Sequence, residues 1–345
     1  MIRLARKNRI VFLLVPAIVW SAWLMMMATG SNRWSLFADN WFMTLTMCVG
    51  SFVAGASSEG GGAVAFPVMT LVFSISPTVA RDFSLMIQSV GMSAASVLII
   101  CFGVRVEWRA IVFAGLGGAI GIILGMNVIS PLLPPAYVKM FFTSLWLSFA
   151  VALFWLNRER QRIRNDSILV FGPKESLLFV VIGVVGGVVS GITGSGLDIL
   201  TFTMLTLLFR VNEKVATPTS VVLMAVNALV GFAWRGGLES NLAPEAWGYW
   251  YVCIPVVVVG APLGAYFIRQ RTRLFIANFL YASILVQFVG ALVIVPQSVP
   301  LILASVSTVF VGLLCFGCMA VLGSKRLAES PGHISKSVAA ANHLP

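Results

Sequence analysis

Charge is scarce in this chain. Only 10% of its 345 residues are Asp, Glu, Lys or Arg, against about 25% in a soluble domain. Histidine is scarcer still: the two present, His333 and His343, both lie in a polar stretch near the end. A serine or cysteine nucleophile elsewhere would therefore have no imidazole base beside it. The five cysteines are scattered, four of them inside apolar runs, so no disulfide framework is implied. Cys315 and Cys318 form a C-x-x-C, but within an apolar run where small packing residues are the simpler reading. No glycine-rich nucleotide-binding motif is present, so a primary pump would need a partner subunit. Nothing calls for a cofactor or a metal. The 14 Met and 10 Trp serve packing and interfacial anchoring.

What is abundant is apolar length. The chain is 59% hydrophobic and contains repeated apolar stretches of about 20 residues, the length of a bilayer-spanning helix. It reads as an all-α polytopic membrane protein whose surroundings are lipid. The net charge of +11 sits in short loops beside apolar spans, which encodes topology rather than nucleic-acid binding. Expected spans are 10–29, 84–103, 110–130, 138–156, 216–234, 249–268, 274–295 and 301–322. The first is too long for a signal h-region and lacks an A-x-A site, so it is expected to be retained. Arg3, Arg6, Lys7 and Arg9, the arginine-rich linker Asn157–Ser167, Arg269, Arg271 and Arg273, and finally Lys325 and Arg326 mark the cytoplasmic side. A multi-pass inner-membrane protein with both termini cytoplasmic follows.

This arithmetic requires residues 41–75 to begin and end on one face. Residues 41–55 and 63–75 then form a hairpin of two broken helices, turning near "GASSEGGG", Gly55–Gly62. Residues 177–210 repeat the picture from the other face, with their break at "GITGSGLD", Gly191–Asp198. A shift of 136 residues aligns Gly50, Gly55 and Gly60 with Gly186, Gly191 and Gly196, and Phe66 with Phe202, without a gap. The same register aligns "TLVF" with "TLLF" and Ser84 with Ser220. Each unit continues as a hairpin plus three spans, and an odd number of spans inverts the second unit. The expected organisation is an N-terminal helix and outside loop (1–40), a first repeat (41–156) and a basic linker (157–174). A second repeat (175–295), a C-terminal helix (296–323) and a disordered tail (324–345) follow. Inverted repeats with broken helices belong to secondary transporters, whose site lies where the breaks meet. Irregular backbone at membrane depth is tolerated where it lines a cavity or is buried in protein.

The segments "EGGGAVAFPVMTLVF", "VARDFSLMIQSVGM" and "GGVVSGITGSGLDILTFTMLTLLF" resemble the TauE/SafE sulfite exporter family over roughly 41–322. The resemblance implies a membrane transporter for a small sulfur-containing anion: sulfite, thiosulfate, or an organosulfonate such as sulfoacetate. Thr203 stands where the first copy has Pro67, and the second copy lacks the glycine triplet. Candidate anion-binding residues are Ser57, Ser58, Gly60, Gly61, Thr193, Gly194, Ser195 and Gly196 at the breaks. Arg81, Gln88 and Asn227 join them from the helices that follow. Glu59 and Asp198 are the carboxylates nearest the breaks. A charge at mid-membrane costs about 2.5–3.5 kcal/mol on insertion scales, so both are candidates for proton coupling, with helix capping as the alternative. An anion channel is the nearest competing function. An intramembrane enzyme is the more distant one, since no second aspartate falls within the expected spans to face Asp198.

Overall fold

The computed structural model describes residues 2–30, 33–57, 62–157, 165–269 and 273–328. Every named element among them is a helix, and nine helices are long and apolar enough to cross a membrane. In chain order the α-helices are α1 (Ile2–Thr29), α2 (Leu36–Ala56), α3 (Gly62–Pro67), α4 (Pro77–Cys101), α5 (Trp108–Leu124) and α6 (Pro135–Asn157). Then follow α7 (Pro173–Thr193), α8 (Leu197–Thr203), α9 (Glu213–Phe232), α10 (Pro244–Arg269), α11 (Arg273–Ile294) and α12 (Val299–Ala328).

Two helices break and double back. After α2, the short α3 and a π-helical turn, Val68–Val72, return toward the start of α2. Gly50 there lies against Val64, and the rings of Phe42 and Phe73 approach to 4.4 Å. After α7, α8 and the π-helical turn Met204–Leu208 behave alike: Gly186 lies against Leu197, and Phe179 stacks on Phe209 at 5.3 Å. The first arms differ from expectation. α2 and α7 each have 21 residues, enough to cross a bilayer at 1.5 Å per residue, and only the return arms are short. The helix takes in Leu36–Asn40, where the Asn40 amide donates to the Leu36 carbonyl and covers the backbone kink at Asn40.

The 136-residue register persists in local backbone detail. Ser74 and Arg210, the same distance apart as the two π-helical turns, both adopt left-handed φ, 56° and 55°. Ser76 caps α4 by accepting from Val79 N, and Asn212 caps α9 by accepting from Lys214 N. Each cap follows an apolar return arm and precedes a long helix, so the chain reverses twice by one mechanism.

The long helices pack crosswise between the two units. α5 lies along α7 and α10 along α2, while α4 contacts α9, and α6 contacts α11 and α12. Close approach in both crosswise pairs depends on small residues, as expected where lipid gives no hydrophobic drive to helix association. A methyl group added at Gly117 or Gly121 would strike the backbone of α7 at 2.1 Å. One added at Gly264 would strike the Phe52 carbonyl of α2 at the same distance. At one end of the bundle lie the α4–α5 loop, Asn165–Ile168 and the start of α9, joined by Arg105–Asp166 and by Glu107, which accepts from Arg109 and from Ile168 N. We call this the linker end. At the opposite end, α4 begins, and α5 and α9 finish in π-helical turns, Gly125–Ile129 and Ala233–Leu238.

Candidate functional site

The second break is built almost wholly from its own residues. Gly194 turns with φ of 84°, a conformation that disfavours any residue with a Cβ. A methyl group on Gly196 would meet the Val189 side chain at 2.4 Å. Asp198 is buried, and its carboxylate accepts from Ser195 Oγ at 3.0 Å and from Gly196 N at 2.9 Å. Leu197 N donates to Ser190 Oγ at 3.0 Å, and Thr193 Oγ1 donates to the Val189 and Ser195 carbonyls. Asp198 therefore caps its own helix start, the alternative weighed from the sequence. The backbone donors of Gly196 and Leu197 are occupied within the turn.

The same turn is tied to α4. Gln88 Nε2 donates to the Gly194 carbonyl and to the Ser84 carbonyl, each at 2.8 Å. Gln88 is thus brought to a break, as its depth in the sequence suggested. Asn227 Oδ1 lies beside Gly118 of α5, and among the described residues neither polar atom of its buried side chain has a hydrogen-bond partner. At the first break, Ser57 is buried. Ser58, Glu59, Gly60 and Gly61 lie outside the described residues.

Arg81 is not where a loop residue would be. Sequence reasoning puts Arg81 on the helix after the first hairpin, with an interface loop as the alternative, while its span boundary falls only at 84. α4 instead begins at Pro77, where Ser76 caps it, so both residues enter the protein. Asp82 has no exposed surface. Its carboxylate accepts from Arg81 Nε at 2.9 Å and Nη2 at 2.8 Å, from Arg235 Nη2 at 3.3 Å, and from Ala243 N at 3.1 Å. Arg81 also donates to Ser130 Oγ, and Glu239 accepts from Arg235 and from Asn127. The cluster joins α4, the ends of α5 and α9, and the segment entering α10. It lies at the opposite end of the bundle, with Asp82 fully buried. Asp82, Arg235 and Glu239 escaped the sequence reading, although Asp beside Arg at the foot of an apolar run is a visible signal. Asp82 is held by two arginines and Asp198 by its own turn.

The linker end is open. A cavity of about 530 Å³ lies between the end of α4, the start of α9 and the end of α10. Arg105, Asp166, Glu213 and Lys214 stand around it, with Thr217 and Ala265 further along its walls. It extends to Gly55, two residues before Ser57 at the first break. There α2 and α10 touch, since a methyl group on Gly55 would lie 1.9 Å from the Ala261 carbonyl oxygen.

Comparison with known proteins matches residues 42–290 to the family described as Sulfite exporter TauE/SafE. No curated protein and no solved structure matches the chain. The match takes in both broken helices, the linker and the charge cluster, and covers well over half of the sequence. The chain belongs to the TauE/SafE sulfite exporter family, a family of membrane transporters rather than enzymes.

Proposed function

We propose that this protein is a secondary transporter which moves a small sulfur-containing anion across the inner membrane by alternating access. The anion is sulfite, thiosulfate or an organosulfonate such as sulfoacetate. One observation carries this reading: a cavity from the linker end reaches Gly55 near the first break, while a buried ion cluster ties the helices together at the other end. A channel has no need of such asymmetry, whereas a carrier halted on one side of its cycle does. On this reading the linker end is cytoplasmic, as the arginines of the linker and both termini require, and the structure is the inward-facing state.

The units 41–156 and 175–295 then form inverted repeats with re-entrant hairpins. Their support is the register of left-handed residues and caps, together with the crosswise pairing of α5 with α7 and α10 with α2. The two breaks take unequal parts. The residues Thr193–Gly196 and Asp198 form a rigid wall, with Gly194 holding Gln88. At the first break Ser57, Ser58, Gly60 and Gly61 contact the anion, and Glu59 exchanges the coupling proton. Arg81 acts at the outer closure, and Asn227 bonds once the helices have shifted.

The test is flux through purified protein in liposomes. Counterflow of radiolabelled sulfite, thiosulfate and sulfoacetate against unlabelled internal anion is expected for at least one of them. Flux without trans-stimulation identifies a channel, and the carrier reading then fails.

A further inference from the structure

One helical turn beyond the inner limit of the vestibule is a second, much smaller cavity of about 10 Å³, room for roughly one water molecule. It lies between α2, α4 and α10, lined by Ser51, Ala54, Gln88, Gly91, Met92 and Ala261 among others. Ala54 and Ala261 stand one residue and one turn from Gly55 and Ala265 of the vestibule wall, so the two spaces follow each other along α2 and α10. Ser51 and Gln88 are 2% and 1% exposed. Among the described residues, Ser51 Oγ and Gln88 Oε1 have no hydrogen-bond partner. Two buried side chains with an unpartnered polar atom thus stand among the residues around one cavity, and each such atom calls for an explanation, a bound group being one.

We propose that this cavity is the seat of the transported anion, and that it selects a small oxyanion which itself carries a hydrogen-bond donor. The inference rests on the transport reading above and adds the site and the chemistry it accepts. Both Gln88 amide hydrogens are engaged by the carbonyls of Ser84 and Gly194. Turning the amide over would set its oxygen against those two carbonyl oxygens, so Oε1 is left as the free acceptor. The Ser51 hydroxyl supplies the donor for an oxyanion oxygen. A fully deprotonated anion with no O–H or N–H would satisfy Ser51 but leave its lone pairs facing those of Gln88. A hydroxy- or amino-sulfonate, or the hydrogen form of an inorganic oxyanion, satisfies both. Room for the rest of the ligand comes from the vestibule side, where the contact of Gly55 with Ala261 separates the two spaces. The 136-residue register places Met224 opposite Gln88 and Asn227 opposite Gly91. The second unit therefore lacks an amide at the Gln88 position and carries Asn227 where the first has Gly91, so the two halves are not equivalent here.

Ethanesulfonate, isethionate and taurine share one skeleton and differ in bearing no donor, an O–H or an N–H. Their binding is measured by calorimetry on the purified full chain at one neutral pH, beside sulfite flux in liposomes. Isethionate, taurine or both should bind more tightly than ethanesulfonate by about tenfold or more, the scale of one hydrogen bond to a charged group. Which of the two binds better identifies the donor. Ser51→Ala should weaken that binding about tenfold. Gly91→Ala should abolish it while melting as the parent does, because its methyl group meets Val257 and Ala261 at ordinary contact distances of 3.5 and 3.6 Å and fills the cavity. Equal binding of ethanesulfonate, or no sulfonate binding by a protein that transports sulfite, overturns the selection rule. Unchanged binding and flux in both variants means a buried-water site only; the seat is then elsewhere and the transport reading stands. Absence of any anion flux in the parent protein overturns the transport reading itself, and this inference with it.

Discussion

Asp82→Asn replaces the carboxylate that two buried guanidinium groups share, and its consequence can be worked from the geometry. Asp82 is fully buried, as are most of the Arg81 and Arg235 side chains, with 3% and 10% exposed. An asparagine preserves the shape and can still accept from Ala243 N, but it leaves two buried positive charges sharing only Glu239. Removing one partner of a buried ion pair typically costs about 3–5 kcal/mol. If the cluster is a gate, the arginines recover this energy by parting into water, and the cost appears as a shift in the conformational equilibrium. About 3 kcal/mol corresponds to roughly a hundredfold change in the ratio of open to closed forms. The assay uses a Cys-free background carrying Ser84→Cys, since Ser84 is wholly buried two residues beyond the gate. Modification by a membrane-impermeant maleimide added from the α4 N-terminal side should accelerate by one to two orders of magnitude in Asp82→Asn. A large drop in melting temperature with no change in labelling would make the cluster a structural brace and refute the gate. So would an unchanged rate with unchanged stability.

Three further outcomes are expected. Gly194→Ala should destabilise the purified protein more than Gly103→Ala in thermal unfolding. Both have left-handed φ, 84° and 63°, but only at Gly194 does the new methyl group meet a neighbour, Ser84 Cβ at 2.6 Å; the backbone effect alone is about 1–2 kcal/mol, and equal losses would contradict the packed turn. Glu59→Gln should retain anion binding yet fail to accumulate substrate from a proton gradient in liposomes, and wild-type accumulation by the variant moves the coupling group elsewhere. Single cysteines at 31–40 should be labelled from outside whole cells and those at 211–214 should not, the reverse pattern being incompatible with inverted repeats.

Membrane residence, the helical class and both breaks were legible in the chain because they are local properties. Apolar length sets a span, and runs of glycine and serine interrupt one, whatever surrounds them. The 136-residue register was legible for the same reason, since "TLVF" and "TLLF" lead into the same π-helical turn, left-handed residue and cap. The distant partners of a charge placed near an apolar run were not legible. Arg81 read equally as a site residue or as the mark of an interface loop, because a buried charge is costly alone, and Arg235, which shares Asp82 with it, lies 153 residues from Asp82 in the chain. Asp198 read from its depth as a candidate for proton coupling or for capping, and only the folded turn brings Ser195 Oγ and Gly196 N onto it. Ser51 carried no signal at all, as one hydroxyl in an apolar helix commonly bonds its own backbone. Its isolation depends on α4 and α10 closing around it, and the vestibule depends on α2 meeting α10 at Gly55. Such properties belong to pairs of helices distant in sequence, so they arise only when packing decides which polar groups find partners and which are left facing a space.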